Sequence, residues 1–213
     1  MKFHNVDKKL NKYRRMSLKY SAVLGALLSG AVMPLSYAQE LKPSATPANI
    51  QVPAGNKLFQ VGHAVGTQDY ICLPVAGGVK FTLFTPQATL LKDNKQTMTH
   101  YYSPNPVESG LVRASWQSSK TGSIIWGKVA DGNASSDDAY VAHGAIPWLL
   151  VTVVGAQHGA NGSSDKLDKT TYIQRVKTTG GVAPVSGCVS VTDVGNKAFV
   201  PYTADYLFYK KAN

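Results

Sequence analysis

The chain has 213 residues, a length suited to a single domain, and a formal charge of +10 from 22 Lys/Arg and 12 Asp/Glu. Its first 38 residues hold seven of the basic side chains against one Asp, a net of +6. The remainder carries 15 basic and 11 acidic residues, a net of +4, scattered singly. Without a basic stripe to meet phosphates, nucleic acid is excluded as a partner.

From the amino end, a basic segment leads into an uncharged, small-residue-rich stretch from Ser21 to Leu35. Ser36-Tyr37-Ala38 follows, with small residues at the −3 and −1 positions before Gln39. This layout predicts a cleavable signal peptide over residues 1–38 and an exported, periplasmic or secreted protein. The apolar run is about 15 residues, short of the roughly 20 needed to span a bilayer, so no membrane span is expected after cleavage. Arg14-Arg15-Met16-Ser17-Leu18-Lys19 is similar to a twin-arginine export signal, whereas a start at Met16 leaves an ordinary secretory signal. Residues 39–53, rich in Pro, Ala and Ser, read as a flexible leader before one β-rich domain over 54–213.

Ten short β-type runs follow. Leu58–Val65 and Gln68–Leu73 flank Gly66-Thr67, which reads as a hairpin turn. Next come 79–85, then 88–91 before an Asp93-Asn94 turn, then 97–102 and 111–116. The runs 123–129, 148–154, 171–178 and 204–210 complete the set. Turns at roughly ten-residue spacing and no long 3.6-residue apolar period predict an all-β, mainly antiparallel sandwich or barrel with few short helices. Trp148, inside the most apolar run, is expected in a core. Cys72 and Cys188, an even pair in an oxidising compartment, are expected to form a disulfide.

Val52-Pro53-Ala54-Gly55-Asn56, Gln68-Asp69-Tyr70-Ile71-Cys72, Ala145-Ile146-Pro147-Trp148, Tyr172-Ile173-Gln174-Arg175, Gly187-Cys188 and Val200-Pro201-Tyr202-Thr203-Ala204-Asp205-Tyr206 resemble, in order, a family of exported bacterial and fungal proteins. That family is catalogued as domain of unknown function 3455. The resemblance implies export and a spaced cysteine pair, and it brings no established activity or catalytic residues. Some relatives carry a malate dehydrogenase label. The glycines of 155–162 do not have dinucleotide-site spacing, and no helix pattern follows them.

The chemistry-bearing residues do not form a known motif. There is no Gly-x-Ser-x-Gly elbow, and the mature histidines, His63, His100, His143 and His158, form no local metal-ligand pair, so no metal site and no cofactor are named. Only Glu40 and Glu108 supply Glu after residue 38, which leaves a glycosidase pair to the aspartates. Aromatic side chains suited to ligand contact are Tyr101, Tyr102 and Trp116, with His100 beside them in sequence. Arg175, one of two arginines after residue 38, and Asp205 lie in strand-like runs, where a charge needs a partner. They are expected to be partly buried and paired, with each other or, for Arg175, with a ligand carboxylate. The candidate ligand-binding set is therefore His100, Tyr101, Tyr102, Trp116, Arg175 and Asp205. It favours a non-catalytic binding or surface-interaction module over a hydrolase or metal-dependent enzyme with a site assembled from separate loops.

Overall fold

Residues that alternate between apolar and polar put one face of each strand against a core. In the computed structural model, which describes residues 45–163 and 166–212, eight such strands close on themselves. They are β1 (Asn56–Val75), β2 (Gly78–Lys92), β3 (Lys95–Asn105), β4 (Leu111–Ser118), β5 (Ile124–Ser135), β6 (Trp148–Gln157), β7 (Thr170–Gly180) and β8 (Lys197–Lys211). Each is antiparallel to the next, and β8 returns to β1 from Asn56↔Lys211 to Ile71↔Lys197. The architecture is a closed barrel, and the helical elements among the described residues are single 3-10 turns. The signal peptide read over residues 1–38, with Arg14, Arg15 and Met16, lies outside the described residues, as does the first part of the leader.

The ten expected runs become eight strands because two pairs merge. Gly66-Thr67 is not a turn: β1 runs through it, paired with β2 at Gly66↔Ala88 and Thr67↔Gln87. A Cβ at Gly66 would fall 2.0 Å from the Gln87 carbonyl oxygen, so the glycine is there for close backbone approach. Asp93 and Asn94 do turn the chain, both at positive φ, as a tight two-residue hairpin demands.

The chain builds two apolar cores. The first fills the barrel and includes Leu90, Met98, Trp116, Ile125, Ile173 and Phe208, with Leu167 from the β6–β7 connection packed into it. The second lies on the outer wall, where Trp148, Leu150, Val176, Leu207 and Tyr209 gather around Ile50. The stretch read as a leader thus ends in a docked segment. The Ile50 carbonyl accepts from Gln174 Nε2 at 2.7 Å, and Asn49 Nδ2 donates to the Gly132 and Ala134 carbonyls. Walls apolar on both faces explain why β6 reads as a continuous apolar run.

The β2–β3 and β4–β5 turns mark the base of the barrel, and at the other end two of its seams part. β2 and β3 separate beyond Ala88↔His100, and β4 and β5 separate beyond Ala114↔Gly127. The β3–β4 hairpin, freed on both sides, lies back over the outside of β5 and β6. Trp126 Nε1 donates to Ser103 Oγ at 2.9 Å, and a Cβ on Gly155 would meet Asn105 Oδ1 at 2.5 Å. The β1–β2 hairpin is held instead by the Cys72–Cys188 disulfide, Cα–Cα 5.5 Å, which ties it to the β7–β8 connection across 116 residues of sequence. The expected disulfide is present.

Candidate functional site

Where the two hairpins part, the barrel holds a cavity of about 420 Å³. An eight-stranded barrel is just wide enough for side chains to fill or for one small ligand to enter. The base takes the first option, and the open end leaves its interior unfilled. Apolar wall comes from Leu83, Pro86, Ile146, Leu149 and Val151, and polar groups from Gln68, Tyr70, His100, Tyr102 and Arg175. Among the described residues, no Asp or Glu lines it.

Its floor is an aromatic stack. His100 lies parallel to Trp116, ring centroids 4.3 Å apart and planes within 10°, and Tyr206 meets Trp116 edge-on at 5.7 Å. His100 Nδ1 donates to the Ser115 carbonyl at 2.8 Å, which fixes the tautomer and leaves Nε2 an unprotonated acceptor. Burial holds its pKa down at about 3, and the bond to Ser115 only partly counters this. His100 is therefore neutral at ordinary pH. It occupies an inward-facing strand position, 4% exposed.

Two donors on this wall are unmatched. Gln68 and Trp116 are 2% and 1% exposed, and neither Gln68 Nε2 nor Trp116 Nε1 has a hydrogen-bond partner. An orphaned buried donor costs about 1–3 kcal/mol, so such groups call for an account. A polar loop follows Trp116 in sequence, a neighbour that favours exposure. Inward alternation at β4 overrides that neighbour effect.

Arg175 enters the same space. Its Nε and Nη2 donate to the Pro147 carbonyl at 3.2 and 2.8 Å. Among the described residues no carboxylate pairs with it. Burial raises the phenol pKa values of Tyr70 and Tyr102, and the nearby Arg175 charge pulls both back down. Arg113, also on the lining, is neutralised: Glu108 accepts from its Nε and Nη2 at 2.9 and 2.8 Å and from Asn105 Nδ2. Hydrogen bonds from Arg113 and then Asn105 lower the Glu108 pKa to about 2.

Two of the expected candidates lie elsewhere. Tyr101 follows His100 by one residue and so faces outward, where its hydroxyl donates to Gln117 Oε1 at 2.8 Å. Asp205 does not meet Arg175. The register sets Arg175 opposite Tyr206 and Asp205 opposite Val176, so their side chains emerge on opposite faces. Asp205 is instead paired on the outer wall, with His63 Nδ1 at 2.6 Å and Lys177 Nζ at 3.1 Å. Sequence reasoning missed Gln68, Tyr70 and Tyr206. The β1 alternation Ala64, Gly66, Gln68, Tyr70 would have placed the first two inward.

A family model described as "Protein of unknown function (DUF3455)" matches residues 53–210, from the residue that leads into β1 to the last turn of β8. The chain belongs to that family. Its match takes in the whole DUF3455 barrel, including every residue of the cavity. No curated protein and no solved structure matches this chain. Among the described residues, no group of three or more His, Cys, Asp or Glu is gathered, and no helix is long and apolar enough to cross a membrane.

Proposed function

We propose that the DUF3455 barrel is a binding module that takes one small, partly apolar molecule into its open end. The observation that carries this reading is the cavity itself, about 420 Å³ left unfilled where the base of the same barrel is packed. Gln68 Nε2 and Trp116 Nε1, buried and unpaired among the described residues, mark the same end as one where the fold leaves polar groups unsatisfied. Binding is favoured over catalysis because the one histidine in the cavity stays neutral down to about pH 3, far from the pKa of an effective general base, and no carboxylate stands beside it. The His63–Asp205 pair is oriented for acid–base work but sits on the outer wall. Export belongs to the same proposal, and the Cys72–Cys188 disulfide fits an oxidising compartment.

The test uses a neutral polarity-sensitive dye, N-phenyl-1-naphthylamine. Saturable one-to-one binding is expected for the native barrel, with loss of binding in Ala114→Trp, which fills the cavity. Gln68→Met should stabilise the ligand-free protein by about 1 kcal/mol in urea unfolding, because it removes a donor that the folded state leaves unpaired. Absence of dye binding together with a destabilised Gln68→Met would end this reading.

A further inference from the structure

We infer that the molecule bound in the barrel carries a single carboxylate on an apolar body, and that Arg175 is its counter-ion. The inference rests on the binding reading above and adds the ligand's charge and headgroup. Three independent observations converge on it.

The first is the charge balance of the cavity. Arg113, Lys128 and Arg175 line it, and among the described residues no acidic side chain does. Arg113 is cancelled by the bidentate Glu108. Lys128 is an exposed side chain near the rim, where water screens it. Arg175 remains, half-buried among Tyr70, Tyr102 and Leu149, with only a neutral backbone carbonyl for company. A guanidinium drawn out of water without an anion is costly, and one held in place by packing is costlier to leave unpaired. The phenols do not supply the anion, since Tyr70 and Tyr102 titrate above their ordinary value.

The second is donor geometry. Arg175 commits Nε and Nη2 to Pro147, which locks the guanidinium plane and leaves its remaining N–H groups for another acceptor. A carboxylate has two oxygens and accepts from two such N–H groups at once. One uncompensated cation balances one negative charge. A phosphate monoester carries close to two at neutral pH and would leave the second buried without a partner.

The third is the rest of the lining. Leu83, Pro86 and Val151 offer no donor or acceptor side chain, so the rest of the ligand is apolar. At about 420 Å³ the cavity is at the lower part of the range that small organic ligands occupy, about 300–1,000 Å³. A short-chain or bicyclic acid fits this description.

Displacement of the neutral dye by matched compounds tests the inference. The flat set is 2-naphthoate, 2-naphthamide and 2-naphthyl phosphate; the flexible set is decanoate and decanamide. Each acid is expected to bind roughly tenfold to a hundredfold tighter than its amide, the size of a charge-assisted hydrogen-bonded pair. 2-Naphthyl phosphate is expected to bind more weakly than 2-naphthoate. In Arg175→Met the acid–amide difference should vanish while amide binding persists, and in Arg175→Lys part of it should return. The native acid–amide contrast stands even if Arg175→Met does not fold, because it needs no variant. Equal binding of acid and amide overturns the carboxylate and leaves the binding site intact, as does tighter binding of the phosphate. A barrel that binds neither the dye nor any member of either set overturns both readings.

Discussion

At the base of the barrel the interior is filled by Met98, Ile125, Ile173 and Phe208, with Leu167 set among them. At the open end β2 leaves β3, β4 leaves β5, and a hairpin folds away to the outside. The interior residues change along the axis: apolar side chains give way to His100, Gln68, three tyrosines and Arg175. One end is a core that satisfies itself. The other holds a cation and two donors that the protein leaves unmatched, and natural chains accept such conflicts chiefly where something binds. The base stabilises a site that the open end alone would not hold.

The sharpest test of this division is Phe208→Ala. Phe208 is fully buried in the base, and its truncation is expected to cost about 3–5 kcal/mol in urea unfolding. Dye affinity of the folded variant should stay within about twofold of native, since the cavity lining is not touched. A folded variant that no longer binds would show that the two ends are one unit. Next in size is the disulfide. Cys72→Ser with Cys188→Ser is expected to cost about 2–4 kcal/mol, mostly by freeing the unfolded chain. Hydrogen exchange should rise in residues 70–75 and 181–196 while the base amides of β3 and β4 keep their protection. Uniform loss of protection would count against a separate open end.

The smallest expected effect lies in the wall between the two ends. His100 titrates near 6.5 when unfolded and near 3 in the barrel, so between those values the unfolded chain holds more protons. Its contribution to stability is complete above pH 6.5 and falls as pH drops toward 3, by about 2 kcal/mol between pH 6.5 and 5. Glu108, also lowered, loses its contribution only between about pH 4.5 and 2, so it is silent in that window. Unfolding of His100→Gln at pH 7.5 and 5 should show most of the drop removed. An unchanged drop would mean that His100 is hydrated rather than dry.

The strands were legible because period-two alternation and turn residues are local signals, and Asp93-Asn94 shows them working. Gly66 misled because a glycine for a turn and a glycine for close approach look alike in one dimension; only β2 lying across it tells them apart. Closure was invisible for a related reason, since it depends on β1 meeting β8 from opposite ends of the chain. For the site, residue chemistry singled out His100, Tyr102, Trp116 and Arg175. Their convergence required the barrel. Tyr101 was separable in advance, because neighbours in a strand face opposite ways. Asp205 was not, as its distance from Arg175 rests on a register offset of one residue. Gln68 carries no motif and matters only through the partner it lacks.

Ile50 fixes where the domain can be cut. Its side chain plugs a hydrophobic hollow on the outer wall, and its carbonyl holds Gln174, which in turn accepts from the Tyr209 hydroxyl at 2.6 Å. Protease trimming past this residue would bare Trp148, Leu150 and Leu207 together and strand the Gln174 amide. Such a shortened protein should self-associate, so recombinant versions need to begin upstream of Pro47, whose carbonyl accepts from Ile50 N–H, to remain monodisperse.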